Sequence, residues 1–115
     1  MSSQIEEEYK SILERKQNPE EGSYTAYLFN KGLEKILKKV GEESTEVVIS
    51  SLGTNKEDQV GEICDLTYHV LVLMAELNIS LEDINNELKK RSQKTGNFKG
   101  ERKPLKTCNI RGGKI

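Results

Sequence analysis

The sequence predicts an all-α fold, a small helical bundle whose core is completed by dimerisation. The 115 residues are 34% hydrophobic and 32% charged, with two prolines and no tryptophan, and a composition rich in Glu, Lys and Leu favours helices over strands. Apolar residues recur at spacings of three and four in successive segments, as in amphipathic helices. Turn-forming residues separate these segments, so each segment is interpreted as one helix of a single domain.

Two short helices are predicted in the first third of the chain. The first covers residues 3–16, where apolar side chains share one face: Ile5, Tyr9, Ile12 and Leu13. The segment at residues 18–22 contains proline and glycine and ends this helix. One or two further helical turns follow at residues 24–29, before an expected interruption at residues 30–32.

A longer helix is predicted from Leu33 to about Leu52. Its apolar face contains Leu33, Ile36, Leu37, Val40, Val47 and Val48. Gly41 lies inside this helix, where glycine costs about 1 kcal/mol relative to alanine. It therefore indicates close packing, close approach of a ligand, or a simple bend.

The following helix is predicted to be the most apolar. Thr54 and Glu57 have the spacing of a capping box at its start. Its apolar side chains include Val60, Ile63, Val70, Met74 and Leu77. Because more than half of its circumference is apolar, both sides must be covered, which in so small a chain favours burial against a second subunit.

A last helix is predicted from Leu81 to about Arg91, with Ser80 and Asp83 as its cap. Residues 1–93 are thus predicted to form the all-α domain, with a net charge of −7 from 11 basic and 18 acidic side chains. Residues 94–115 carry seven Lys or Arg and one acid, a net charge of +6. This basic tail is expected to be flexible, and folding over a bound anionic ligand is the alternative.

Several classes of protein are disfavoured. The sequence contains neither an apolar run long enough to cross a bilayer nor a signal-peptide pattern, so we expect a cytoplasmic protein without membrane contact. Cys64 and Cys108 indicate neither a disulfide framework nor a Cys-x-x-Cys metal site. Nucleic-acid binding by the tail is disfavoured by the acidic domain and by the few aromatic residues among the basic ones.

Two pairs of acidic residues lie in the two most apolar helices, each pair three residues apart: Glu43 with Glu46, and Glu62 with Asp65. Each pair flanks an apolar face, and adjacent carboxylates repel unless a cation lies between them. If the two helices are antiparallel neighbours, the pairs form an oxygen-lined site for a hard cation, Mg²⁺ or Mn²⁺. Ordinary solvated helix faces are the alternative interpretation.

Other polar residues near these pairs also have two interpretations. Lys35 and Lys39 share a strip of the helix with the first pair, where they either form salt bridges or bind the phosphates that a cation would bridge. His69 is either a ligand or, more commonly for a lone histidine, a surface or hydrogen-bonded residue. Since it is the only histidine, a di-iron carboxylate site is disfavoured.

Four segments of the chain closely resemble one family: residues 23–28, 31–32, 35–47 and 62–69. They are similar to phosphoribosyl-ATP pyrophosphohydrolases, which belong to the all-α nucleoside triphosphate pyrophosphohydrolases together with MazG proteins and dimeric dUTPases. The resemblance extends over about residues 5–92 and includes the superfamily's Glu-x-x-Glu and Glu-x-x-Asp metal motif. The Ser-Tyr-Thr segment and the Lys-Val-Gly-Glu-Glu run distinguish this family from its relatives.

The resemblance implies a homodimer that hydrolyses phosphoribosyl-ATP to phosphoribosyl-AMP and pyrophosphate, the second step of histidine biosynthesis. It implies Mg²⁺, or alternatively Mn²⁺, bound by Glu43, Glu46, Glu62 and Asp65, with Glu42 as a less favoured ligand. Water would attack the α-phosphorus, Glu43 or Glu46 would take its proton, and Lys39 would offset the charge of the leaving group.

Further residues are implied to bind the substrate: Tyr24, Thr25, Lys31, Lys35 and Lys39. No catalytic role is assigned to the tail. Two other functions are kept as alternatives, a house-cleaning nucleoside triphosphate pyrophosphatase with the same metal site and a non-enzymatic helical dimerisation module.

Overall fold

The computed structural model describes residues 2–94, which form five α-helices and no strand. The helices are α1 (Gln4–Gln17), α2 (Tyr24–Lys31), α3 (Leu33–Ser51), α4 (Lys56–Glu76) and α5 (Leu81–Ser92). The all-α prediction is confirmed, and every predicted helix is present within a few residues of its expected bounds. The predicted tail, apart from Lys94, lies outside the described residues, as does Cys108.

Side-chain caps define where four of these helices begin, and Ser23 is the cap of α2. Ser3 and Glu6 form a capping box at α1, and Ser80 and Asp83 form the box predicted at α5. The capping box predicted at Thr54 and Glu57 is wrong, because the N-cap of α4 lies one residue later. Asn55 is the N-cap of α4, and its side-chain oxygen accepts the backbone N–H of Asp58 at 3.0 Å. Asparagine is at least as good an N-cap as threonine, so the adjacent residue takes this position.

Gly32 is the single residue between α2 and α3, and it has φ 94° and ψ −175°. This region of backbone space is essentially restricted to glycine, because a Cβ atom would clash there. Gly41 is different, since a Cβ atom built on it would contact no described atom within 4 Å. Close packing within the described chain therefore does not explain the glycine in α3.

The core lies where α1, α2 and the C-terminal half of α4 meet, with one residue of α3. Its fully buried side chains are Ile12, Leu28, Ile36 and Val72. Tyr9 and Lys16 of α1 donate side-chain hydrogen bonds to the carbonyl oxygens of Ile79 and Ala75, at 2.5 and 2.7 Å. Both bonds connect α1 to the C-terminal end of α4, where the Ala75 carbonyl also accepts the backbone N–H of Asn78 at 3.2 Å.

Much of the predicted apolar surface of α3 and α4 is not buried within the single chain. Ile36 is the only buried residue of α3, whereas Val48 is 61% and Ile63 is 50% exposed. In addition, α5 has no extensive contact with any other described helix. None of the described helices has the length and apolar character needed to cross a membrane.

Candidate metal and phosphate site

Three carboxylates from two helices converge between α3 and α4. The four residues between these helices reverse the chain, so α3 and α4 pack side by side in opposite directions. Glu43 of α3 faces Glu62 and Asp65 of α4, and each contributes one oxygen to a group in which all three atoms lie within 4.8 Å of one another. Glu43 and Glu62 are partly buried and Asp65 is exposed. We call these three side chains the carboxylate group.

The fourth predicted acid, Glu46, is not a member of this group. It is an exposed residue of α3, but its charge acts on Glu62 and contributes to raising the pKa of that carboxyl. Glu42 is also exposed and points to Lys39 rather than to the carboxylate group. The structure therefore brings together three of the four predicted carboxylates, with Glu46 beside them.

The electrostatics of the carboxylate group favour a cation. Partial desolvation of Glu62, followed by the negative charges of Glu46, Asp65 and Glu43, raises the pKa of Glu62 above its ordinary value. Its ionised form is thus destabilised by its neighbours, and a bound cation would reverse this effect.

The donor atoms also fit a hard cation. Mg²⁺ binds oxygens at about 2.1 Å in an octahedron, so the ligand oxygens of one ion lie roughly 3 to 4 Å apart. The observed limit of 4.8 Å is within about 1 Å of this range, so a small rotation of the side chains would bring the three oxygens onto one ion. Carboxylates without nearby thiolate or imidazole ligands select Mg²⁺ or Mn²⁺ over softer metals.

Lys39 lies at the edge of the carboxylate group. Its Nζ atom is 3.3 Å from Oε1 of Glu42 and 3.5 Å from Oε2 of Glu43, so the predicted salt bridge with Glu43 is present. The hydrogen bond with Glu42 is the main reason that the pKa of Lys39 is raised. Lys39 is thus held as a cation next to the site where phosphate would approach.

The two other predicted lysines differ from Lys39. Lys35 is partly buried and Lys31 is exposed, and neither forms a salt bridge with any residue between 2 and 94. The Nζ atom of Lys31 lies 5.9 Å from the ring centre of Tyr27. Both lysines keep their charges available on the side of the molecule formed by α2 and the start of α3.

Two consecutive residues of α2 are hydrogen-bonded to two consecutive residues of α4. The hydroxyl group of Tyr24 is 2.9 Å from Nε2 of His69, and Thr25 is hydrogen-bonded to Tyr68. Burial raises the pKa of Tyr24, and the charges of Lys39 and Glu43 also act on it. The predicted substrate-binding residues of α2 therefore lie next to the predicted metal site.

His69 is a hydrogen-bonded residue and not a member of the carboxylate group. It is only 5% exposed, and its Nδ1 atom lies 2.8 Å from the backbone oxygen of Asp65. The sequence did not predict the contacts of Tyr68 and His69 with α2, which are separated from their partners by 43 and 45 residues. A spacing pattern within one helix contains no signal for such pairs.

The comparison with known families agrees with this geometry. The family profile described as phosphoribosyl-ATP pyrophosphohydrolase matches residues 6–92. The chain belongs to this family. The matched range contains the carboxylate group as well as Lys39, Tyr24 and His69. The resemblance predicted from the sequence is therefore confirmed.

Similar proteins of this family occur in several bacteria. A phosphoribosyl-ATP pyrophosphatase of Clostridium novyi is 57% identical over 101 residues, which cover 88% of this chain and 92% of that protein. One of Clostridium acetobutylicum is 61% identical over 97 residues, or 84% and 88% of the two chains. A histidine biosynthesis bifunctional protein of Caldanaerobacter subterraneus is 59% identical over 86 residues, which cover 75% of this chain and 42% of that longer protein.

Proposed function

We propose that this member of the family hydrolyses phosphoribosyl-ATP to phosphoribosyl-AMP and pyrophosphate, the second step of histidine biosynthesis, in the cytoplasm. The carboxylate group is the observation that carries the proposal. Its three oxygens come from the two predicted acidic motifs and lie within 4.8 Å of one another. Lys39 lies next to them, so carboxylates for a cation and a positive charge for phosphate occur side by side.

In this proposal Glu43, Glu62 and Asp65 hold Mg²⁺, for which Mn²⁺ is the alternative, and Glu46 lies beside the ion without being fully engaged by it. When bound, such an ion neutralises phosphate oxygens and lowers the pKa of a coordinated water molecule. The whole chain carries a net charge of only −1, but the carboxylate group concentrates three acidic side chains at one place on the surface. A triphosphate would be repelled by the carboxylate group alone, which is why cation binding and substrate binding are expected to be linked.

The side chains around the carboxylate group have distinct roles in the proposal. Glu46 is the favoured proton acceptor for the attacking water, because it lies near Glu62 but outside the three converging oxygens. Lys39 offsets the negative charge that develops on the departing pyrophosphate. Lys31 and Lys35 attract the phosphate chain, and Tyr24 and Thr25 contact the substrate from α2.

The function is tested by measuring pyrophosphate release from phosphoribosyl-ATP with Mg²⁺ and with EDTA. We expect turnover with Mg²⁺ that EDTA abolishes, and a kcat/KM for phosphoribosyl-ATP well above the values for ATP, dUTP and dCTP. A house-cleaning enzyme would instead hydrolyse several free nucleotides with comparable kcat/KM. A helical dimerisation module would release no pyrophosphate from phosphoribosyl-ATP or from the free nucleotides. Such an absence of turnover would contradict the proposal.

We further propose that the active form is a homodimer. Exposed apolar side chains from neighbouring turns of α3 and α4 form a surface that a single chain leaves uncovered: Val48, Ile49, Leu52, Val60 and Ile63, all at least 50% exposed. We call this the α3–α4 apolar surface. A second copy is the favoured occupant, because homodimer interfaces are more apolar than ordinary protein surfaces and bury the same patch on both subunits.

Replacing Leu52 with Glu is expected to dissociate the dimer. Leu52 is 84% exposed at the end of α3, so the substitution places a charge on the α3–α4 apolar surface with little effect on the fold of one subunit. Light scattering over a range of concentrations should show a dimer for the wild type and a shift toward the monomer mass for the variant. Thr54→Glu is the matched control in the adjacent turn and should remain dimeric. A wild-type mass of one chain at every concentration would contradict the proposal.

A further inference from the structure

His69 connects the metal-site helix with the substrate-binding helix through two hydrogen bonds. Its Nδ1 atom lies 2.8 Å from the backbone oxygen of Asp65, one helical turn earlier in α4. Since a carbonyl oxygen can only accept, Nδ1 carries the hydrogen atom. In the neutral ring Nε2 is then an acceptor, and the hydroxyl group of Tyr24, 2.9 Å away, is the donor. The direction of both hydrogen bonds is thereby defined.

The imidazole ring is also held by its aromatic neighbours. It meets the ring of Tyr68 edge-on at a centroid distance of 4.9 Å and the ring of Tyr24 at 5.7 Å, with interplanar angles of 83° and 80°. The ring of Tyr24 in turn stacks near those of Tyr27 and Tyr68, at 6.0 and 6.1 Å. With only 5% of its surface exposed, His69 has little freedom to rotate. The position of Tyr24 is therefore constrained by a rigid partner.

This constraint matters because of where Tyr24 lies. Tyr24 as a residue remains 45% exposed although its hydroxyl group is hydrogen-bonded, and the charges of Lys39 and Glu43 act on it. Part of this aromatic residue is therefore open to solvent beside the proposed phosphate site. An aromatic face held in this way fits the ribose or base portion of a nucleotide whose phosphates lie at Lys39.

We propose that His69 is a positioning residue that fixes the ring of Tyr24 as a wall for the nucleoside portion of the substrate. The inference rests on the proposed function, because it needs a nucleotide at the carboxylate group. His69 touches neither the substrate nor the cation in this proposal. It acts only through the hydroxyl group of Tyr24, and its loss should affect substrate affinity more than the chemical step.

The test is a double-mutant cycle of Tyr24→Phe and His69→Phe in the full chain. Each variant removes one partner of the same hydrogen bond, worth about 1 kcal/mol, so each is expected to raise the KM for phosphoribosyl-ATP about five- to tenfold. Because both act on one interaction, the double variant should raise KM no further than either single variant. The kcat and the Mg²⁺ concentration for half-maximal activity should stay close to their wild-type values. His69→Gln keeps an acceptor within reach of Tyr24 and should restore much of the lost affinity.

A control and a second measurement distinguish positioning from simple packing. Tyr9→Phe removes a tyrosine hydroxyl hydrogen bond just beyond the C-terminal end of α4, to the carbonyl oxygen of Ile79, and it should lower Tm without changing KM. The same Tyr24 and His69 cycle on thermal unfolding without Mg²⁺ should show a coupling between the two positions. This measurement does not need turnover, so it still decides the coupling if wild-type activity on phosphoribosyl-ATP is absent and the proposed function fails.

Three results would overturn the inference. In the first, wild-type turnover is present, both single variants lose Tm, and their KM values stay unchanged, so that His69 only packs. In the second, His69→Phe raises the Mg²⁺ requirement while Tyr24→Phe does not, so that His69 acts on Asp65 instead. Additive effects in both cycles would equally contradict a role that depends on Tyr24.

Discussion

Replacing Glu62 with Gln is expected to lower kcat about a hundredfold or more while making the metal-free protein more stable. The amide keeps the shape of the side chain but binds a divalent cation far less well, and losing the charge stabilisation of such an ion raises the barrier by several kcal/mol. The stability gain has a different cause. Glu62 lies among like charges that raise its pKa, and the uncharged amide removes this repulsion. Steady-state kinetics with Mg²⁺ and thermal unfolding in EDTA measure the two effects.

The stability effect has a defined pH dependence. Because the fold raises the pKa of Glu62, the folded state binds this proton more tightly than the unfolded state. That contribution is present below the ordinary pKa of Glu and is lost as the pH rises through the raised value. The Tm difference between variant and wild type in EDTA should therefore be wide at neutral pH and should close in acid.

Glu57→Gln is the matched control for Glu62. Glu57 is an exposed acid in the first turn of the same helix and lies outside the carboxylate group. Its variant should keep wild-type kcat and the wild-type response of Tm to Mg²⁺. Full Mg²⁺-dependent activity in the Glu62 variant would show that this carboxylate is not a metal ligand.

Replacing Lys39 with Gln is expected to reduce kcat/KM about a hundredfold, the effect of removing one strong electrostatic contact from a developing anion. The Nζ atom lies 3.3 and 3.5 Å from two glutamates, so the substitution also leaves these carboxylates uncompensated. The affinity for Mg²⁺ should stay the same or increase, because the substitution removes the ammonium group of Lys39, which competes with the ion for these carboxylates. Kinetics at saturating Mg²⁺, together with a Mg²⁺ titration followed by Tm, separate the two effects.

Two further variants define the role of Lys39. Lys39→Arg keeps the charge and should recover part of the activity, although its planar head group differs from an ammonium ion. Lys38→Gln removes the charge of an exposed neighbour that forms no salt bridge among residues 2–94, and it should leave kcat/KM nearly unchanged. Equal effects of Lys38→Gln and Lys39→Gln would indicate long-range attraction rather than a contact at the site.

The helices could be predicted because their signals are local. Spacings of three and four, the cap at Ser80 and the break near Gly32 depend only on neighbouring residues. The facing of Glu43 toward Glu62 and Asp65 was one of two interpretations of the acidic pairs. It depended on antiparallel neighbouring helices, which the four-residue connection between α3 and α4 produces. The start of α4 was misplaced because Thr54 and Asn55 are both good caps and their local sequences do not separate them.

The remaining features depend on contacts between distant segments. Nothing in the spacing of α3 indicates that Glu46 lies beside the carboxylate group rather than in it, because this depends on side-chain direction and on how the helices cross. The contact of His69 with Tyr24 joins α4 to α2 across 45 residues, and only the folded packing reveals it. The apolar faces of α3 and α4 were recognised, and burial of α4 against a second subunit was expected. Which of their side chains stay exposed in one chain depends on how the helices pack.

Gly32 determines how the two halves of the proposed site are related in space. Tyr24 lies on the helix before it, Lys39 and Glu43 lie on the helix after it, and no other residue separates these helices. The distance between the aromatic wall and the phosphate-binding end is thus governed by one pair of backbone dihedral angles that only glycine adopts easily. In the proposed function, part of the substrate selectivity would thus be encoded in the main chain, at a residue that has no side chain with which to touch a ligand.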